Sequence, residues 1–139
     1  MAIEAGGGTT FNRNPVLHDA PIAYLSLITQ ADSRFPTEWN LGYLFPQEKN
    51  DSIEDNDDST AWLGIGKRFR WKALILGFGL VAVNRINKRI SGHVDFRSLA
   101  GFQAGPLVAL VQHITNAGLH GDNDGETFAT LGFRYSFGE

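Results

Sequence analysis

The sequence predicts an all-β protein: an eight-stranded antiparallel up-and-down transmembrane β-barrel, with residues 1–139 as a single outer-membrane domain. Three observations carry this expectation. Apolar and polar residues alternate with a period of two in segments of roughly ten residues, the length and pattern of strands that cross a bilayer at a tilt. The connections between these segments alternate between long and minimal, as in bacterial outer-membrane barrels. The last segment carries an alternating apolar stripe of Leu131, Phe133, Tyr135 and Phe137, ending in an aromatic two residues from the C-terminus, like the final strand of such barrels.

Composition narrows the alternatives. A chain of 139 residues supports one closed fold rather than two cores. Sixteen glycines and ten phenylalanines with no cysteine argue against a disulfide scaffold, and exclude a thiolate metal site or redox centre. The formal charge of -3 is too mild to suggest nucleic acid as a partner. No run of about 18 apolar residues is present, which excludes a transmembrane helix but not a barrel of alternating strands. Met1 is followed at once by a strand-like segment. A barrel of this kind must be exported, so the sequence is read as lacking its signal peptide, with a cytosolic start as the alternative.

Strand 1 is expected from Ile3 to Phe11, where Ile3, Ala5, Gly7, Thr9 and Phe11 alternate with Glu4, Gly6, Gly8 and Thr10. Strand 2 runs from Ala20 to Gln30, after a loop holding Arg13, Pro15 and His18. Asp32, Ser33 and Pro36 mark the next connection. Strand 3, Glu38 to Glu48, places Trp39, Leu41, Tyr43 and Phe45 on one face with Asn40 and Gly42 on the other. The stretch 50–59 holds five carboxylates and no apolar pattern, and reads as a solvated loop. Strand 4, Thr60 to Trp71, sets Leu63, Ile65, Lys67, Phe69 and Trp71 against Trp62, Gly64, Gly66, Arg68 and Arg70.

After a short turn at Lys72, strand 5 runs from Ala73 to Asn84, and Gly77 and Gly79 on one face leave room inside a narrow barrel. A basic loop follows. Strand 6, His93 to Ala104, carries Asp95, Arg97 and Gln103 as polar members, and Gly105-Pro106 turns into strand 7, Leu107 to Asn116. Strand 8 runs from Glu126 to Phe137. If strand 8 descends, Trp39, Trp71, Tyr135 and Phe137 fall at the periplasmic rim, where amphipathic rings suit the headgroup level. A soluble ligand-binding barrel would instead hide its large residues inside. Asn40, Arg68, Asp95, Arg97 and Arg134 are better housed in a polar lumen, which favours the membrane barrel.

The chemistry concentrates where strand 7 meets strand 8. His113-Ile114-Thr115-Asn116-Ala117-Gly118 supplies a base and a hydroxyl, and Asn123-Asp124-Gly125-Glu126 supplies a carboxylate across a short loop. His113 and Thr115 are two apart and share a strand face with Leu107, Ala109 and Val111, so they would look toward lipid. Polar groups at such depth are costly unless they pair or act. The bland alternative is a polar hairpin tip, since N-A-G and N-D-G are ordinary turn sequences. Glu126 has the opposite parity to Phe137, so a regular strand would turn it into the lumen; a bulge near Gly125 would return it to the His113 side.

These two runs resemble the H-x-S-N-x-G and N-x-G-x-E regions of the outer-membrane lipid A 3-O-deacylase (PagL) family, with Thr115 in the serine position and Glu126 read as the glutamate. The resemblance implies hydrolysis of the 3-hydroxyacyl ester of lipid A without a cofactor. Thr115 would be the nucleophile, His113 the general base and acid, and Glu126 the group that holds the imidazole. Asn116, Gly118 and Asn123 would stabilise the oxyanion or bind substrate. A structural or lipid-binding barrel without catalysis is the rival reading. The implied partners are lipopolysaccharide and outer-membrane lipids in the bacterial outer membrane, and a homodimer is compatible with the sequence.

Charged loops add weaker expectations. Arg85, Lys88 and Arg89 would meet lipid A phosphates, or serve solubility. His18, His93 and His120 read as surface or lumen residues, and no metal-ligand spacing is present.

Overall fold

A computed structural model describes residues 1–11, 20–45, 59–84, 93–115 and 126–138. These residues form eight strands: β1 Ala2–Phe11, β2 Pro21–Thr29, β3 Thr37–Leu44, β4 Thr60–Trp71, β5 Leu74–Val83, β6 Val94–Ala104, β7 Leu107–Thr115 and β8 Glu126–Ser136. Each pairs antiparallel with its sequence neighbours, and β8 returns to β1, so the sheet is a closed barrel. Closure removes the unpaired edge that an open sheet would present. The expected strands are therefore all present, with ends shifted by a few residues. β3 stops at Leu44, where the ladder meets Pro21 of β2: Phe45 N–H donates to the Pro21 carbonyl, and Pro21 has no N–H to give back.

Three connections gather at one end of the barrel with both termini. Two are two-residue turns, Lys72-Ala73 and Gly105-Pro106. Lys72 and Gly105 have φ of 54° and 58°, the left-handed conformation that tight hairpins demand and that glycine adopts without a steric penalty. At the same end, Phe137 N–H donates to the Met1 carbonyl. The connections at the opposite end lie outside the described residues.

The alternation sorts side chains to two sides. Outward positions are apolar and exposed: Leu25 and Leu27 on β2, Leu41 and Tyr43 on β3, Leu63 and Ile65 on β4, Phe78 and Leu80 on β5, Leu131 and Phe133 on β8. Trp39, Trp71, Tyr135 and Phe137 are exposed near the short-turn end, as the rim expectation required. Strand lengths of 8 to 12 residues match what a tilted strand needs to cross hydrocarbon.

Inward positions fill the lumen. An apolar cluster including Ile22, Leu44, Trp62, Val83, Ile114 and Phe128 occupies the end away from the short turns. A buried polar network lies nearer the middle. Arg68 donates to Glu4 and to Glu38, Arg97 donates to Glu38 and to Gln112, and Gln112 donates to Thr130 Oγ1 at 3.1 Å. Tyr24 donates to Glu4 at 2.9 Å and Ser26 to Glu38 at 2.6 Å, so both carboxylates are held from several sides. A buried charge is tolerated only when paired and hydrogen-bonded in this way. Among the described inward glycines, Gly42 makes the closest approach to a ring: a Cβ there would sit 2.0 Å from Trp62 Cζ2. The space lets Trp62 lie flat across β3 and donate Nε1–H to Asn40 Oδ1 at 2.7 Å.

Candidate functional site

The site grows from the upper part of β7. Val111, His113 and Thr115 face outward between the inward-facing Gln112 and Ile114. Antiparallel register then fixes the lateral neighbours. Ser98 of β6 lies opposite His113 on one side and Thr127 of β8 on the other, while Phe96 lies opposite Thr115. Residues paired in this way have Cβ atoms about 4.5–5.5 Å apart and stand on the same face of the sheet. One imidazole is therefore bordered by hydroxyls: Thr115 along its own strand, and Ser98 and Thr127 across the two ladders. His113, Thr115 and Thr127 are half-buried and Ser98 is exposed.

Apolar groups frame this patch. Phe78 is paired with Ser98 and stacks on Phe96, with ring centroids 5.9 Å apart, and Phe11 of β1 lies opposite Thr127. One row nearer the short-turn end, Val111 is flanked by Ala100 and Ala129. The hydroxyl-and-imidazole cluster is thus set into a largely apolar stretch of the outer wall.

One polar contact orders the imidazole. His113 Nδ1 and Thr127 Oγ1 are 2.7 Å apart across the β7–β8 ladder, a short, well-formed hydrogen bond. The expectation that Glu126 holds the ring is corrected here. Glu126 is 4 % exposed and pairs with Ile114, itself fully buried, so its carboxylate lies on the lumen side of the sheet and the imidazole on the outer side. β8 pairs without a break with β7 from Glu126 and with β1 from Thr127, so no bulge reverses the alternation.

Two signals in the sequence point to Thr127. It shares parity with Phe133, Tyr135 and Phe137, the outward stripe. Counted from Asn123, the fifth position of the N-x-G-x-E pattern is also Thr127, one residue beyond Glu126. Ser98 had no local signal, because only the β6–β7 register brings it beside His113. Asn116, Gly118 and Asn123, together with Arg85, Lys88 and Arg89, lie outside the described residues. Among the described residues no cluster of histidine and carboxylate side chains is arranged to hold a metal ion.

Chemically, the cluster offers a base next to several alcohols on the outer wall of the barrel, the minimum for transferring an acyl group to a hydroxyl. Comparison with known proteins bears on the scaffold. No protein-family model matches the chain, and no curated protein matches it in sequence. Among solved structures, the crystal structure of the outer membrane enzyme PagL is similar, with a TM-score of 0.63 and 16 % identity over 99 % of this chain and 100 % of that one. An identity this low speaks to the course of the backbone and not to the chemistry. In fold, the chain is a PagL-like closed eight-stranded barrel.

Proposed function

We propose that the protein is a lipid A 3-O-deacylase-like esterase of the bacterial outer membrane. The observation that carries this reading is a hydrogen-bonded imidazole among hydroxyls on the outside of an apolar wall, where no packing role explains it. An outward-facing site on such a wall meets acyl chains directly, and the ester of an acylated glucosamine would lie at its upper edge. Thr115 Oγ1 attacks the ester carbonyl while His113 accepts its proton. Collapse of the tetrahedral intermediate breaks the bond to the sugar oxygen, which leaves with the proton from His113. Water, deprotonated by the same imidazole, then releases the 3-hydroxy fatty acid and restores Thr115. Threonine supplies the same oxygen as serine, but its extra methyl group restricts χ1 and crowds the attack.

The test is to incubate the refolded protein with lipopolysaccharide in detergent micelles and follow the lipid A by mass spectrometry. Loss of one 3-hydroxyacyl group by the wild type, faster loss by Thr115→Ser and none by His113→Ala are expected. A second reading is a lipid-binding or structural barrel without catalysis. The neutral Thr127 beside Nδ1, where a hydrolase triad has a carboxylate, favours it. On that reading neither wild type nor Thr115→Ser releases any acyl chain.

A further inference from the structure

The relation between His113 and Thr127 extends the esterase reading, on which its catalytic half rests. We propose that Thr127 is the positioning residue of the site: its Oγ1 accepts a hydrogen bond from His113 Nδ1–H, which leaves the Nε2 lone pair free to take a proton from a hydroxyl.

The geometry supports this in three steps. The 2.7 Å contact joins side chains that the ladder already holds opposite each other, so the ring is fixed by two strands of a closed sheet and not by a mobile loop. The two ring nitrogens point in nearly opposite directions, so committing Nδ1 to β8 turns Nε2 away from Thr127. The surroundings also suit a neutral partner. Phe11 and Ala129 border Thr127 on the outer face, so its hydroxyl has apolar neighbours there and meets the imidazole across the ladder.

A hydroxyl can orient the ring and select its tautomer, but it cannot balance the positive charge that the imidazole gains during attack. The arrangement therefore describes a slow catalyst whose base is correctly aimed. It assigns to Thr127 both a loss on removal and a gain on replacement by an acid.

The experiment uses full-length protein refolded in detergent, with 15N-labelled histidine, at a pH above the ordinary imidazole range so that the rings are neutral. The His113 signals are identified by their disappearance in His113→Gln. The wild type is expected to show a protonated Nδ1 and an unprotonated Nε2. Thr127→Val, nearly the same shape without the hydroxyl, is expected to shift His113 toward the Nε2–H tautomer, and Thr127→Ser to restore the wild-type pattern. With lipopolysaccharide as substrate, Thr127→Val should lower kcat about 10- to 100-fold with little change in KM, and Thr127→Glu should raise it by at least about tenfold. A wild-type His113 with the proton on Nε2, or a pattern that Thr127→Val leaves unchanged, overturns the proposal. The tautomer readout does not depend on turnover. A shift on Thr127→Val with no hydrolysis by any variant upholds the positioning role and removes the esterase reading instead.

Discussion

Arg68 on β4 reaches across the lumen to Glu4 on β1, a strand it does not adjoin, with Nη1 and Nη2 lying 2.9 and 3.0 Å from the two carboxylate oxygens. The same guanidinium holds Glu38 through Nε and Nη2. Side chains thus bind together strands that the backbone ladders leave apart. Arg68→Met removes the guanidinium that pairs with Glu4, and it weakens the hold on Glu38. A loss of about 3–5 kcal/mol is expected, since it strands a buried carboxylate. Urea unfolding in detergent measures it. Adding Glu4→Gln to Arg68→Met should recover part of the loss, because the stranded charge is then gone.

Gly42 predicts a second cost. Its missing side chain is the space into which the Trp62 ring fits, so Gly42→Ala must push the indole off its bond to Asn40 and off Phe128, 5.7 Å away centroid to centroid. About 1–3 kcal/mol should be lost, the usual cost of overpacking. Tryptophan fluorescence and thermal melting of the variant check both the displacement and its size.

The outward apolar wall makes a prediction that separates a membrane barrel from a soluble one. Leu131 is 60 % exposed and stands at the midpoint of β8, paired with Ala109 of β7. In water Leu131→Arg would cost nothing. In a bilayer it should destabilise folding by about 2–4 kcal/mol, the range for a cation near the midplane. Folding titrations in lipid vesicles decide between the two, and an unchanged stability counts against the membrane reading.

Glu126 provides the control for the site. Its carboxylate lies on the lumen side, so Glu126→Gln should leave deacylation by the folded protein within about threefold of the wild type, far less than the loss expected of a triad acid. A larger fall, with KM unchanged, would return the carboxylate to the mechanism.

The eight strands were legible because a closed barrel writes its geometry into a period of two, and nothing else in the chain competes with that period. Gly77 and Gly79 on the lumen side of β5, and the outward Trp71, stood where alternation put them. The end of β3 was less legible, since the pairing there is decided by a proline on another strand. In the site, His113 and Thr115 were readable from their shared parity on β7. Thr127 is the less conspicuous residue, because the carboxylate one position earlier offers more familiar chemistry although strand parity places it inside. Ser98 belongs to the relations that only cross-strand register creates.

The placement of His113 on the outside of the barrel has a kinetic consequence. On the esterase reading, a substrate lipid reaches this imidazole by lateral diffusion within a leaflet and never has to pass through bulk water. Turnover should therefore follow the mole fraction of acylated glycolipid in the surrounding film. Diluting that film with inert detergent would slow the reaction at constant total glycolipid, whereas diluting the whole suspension with buffer would not.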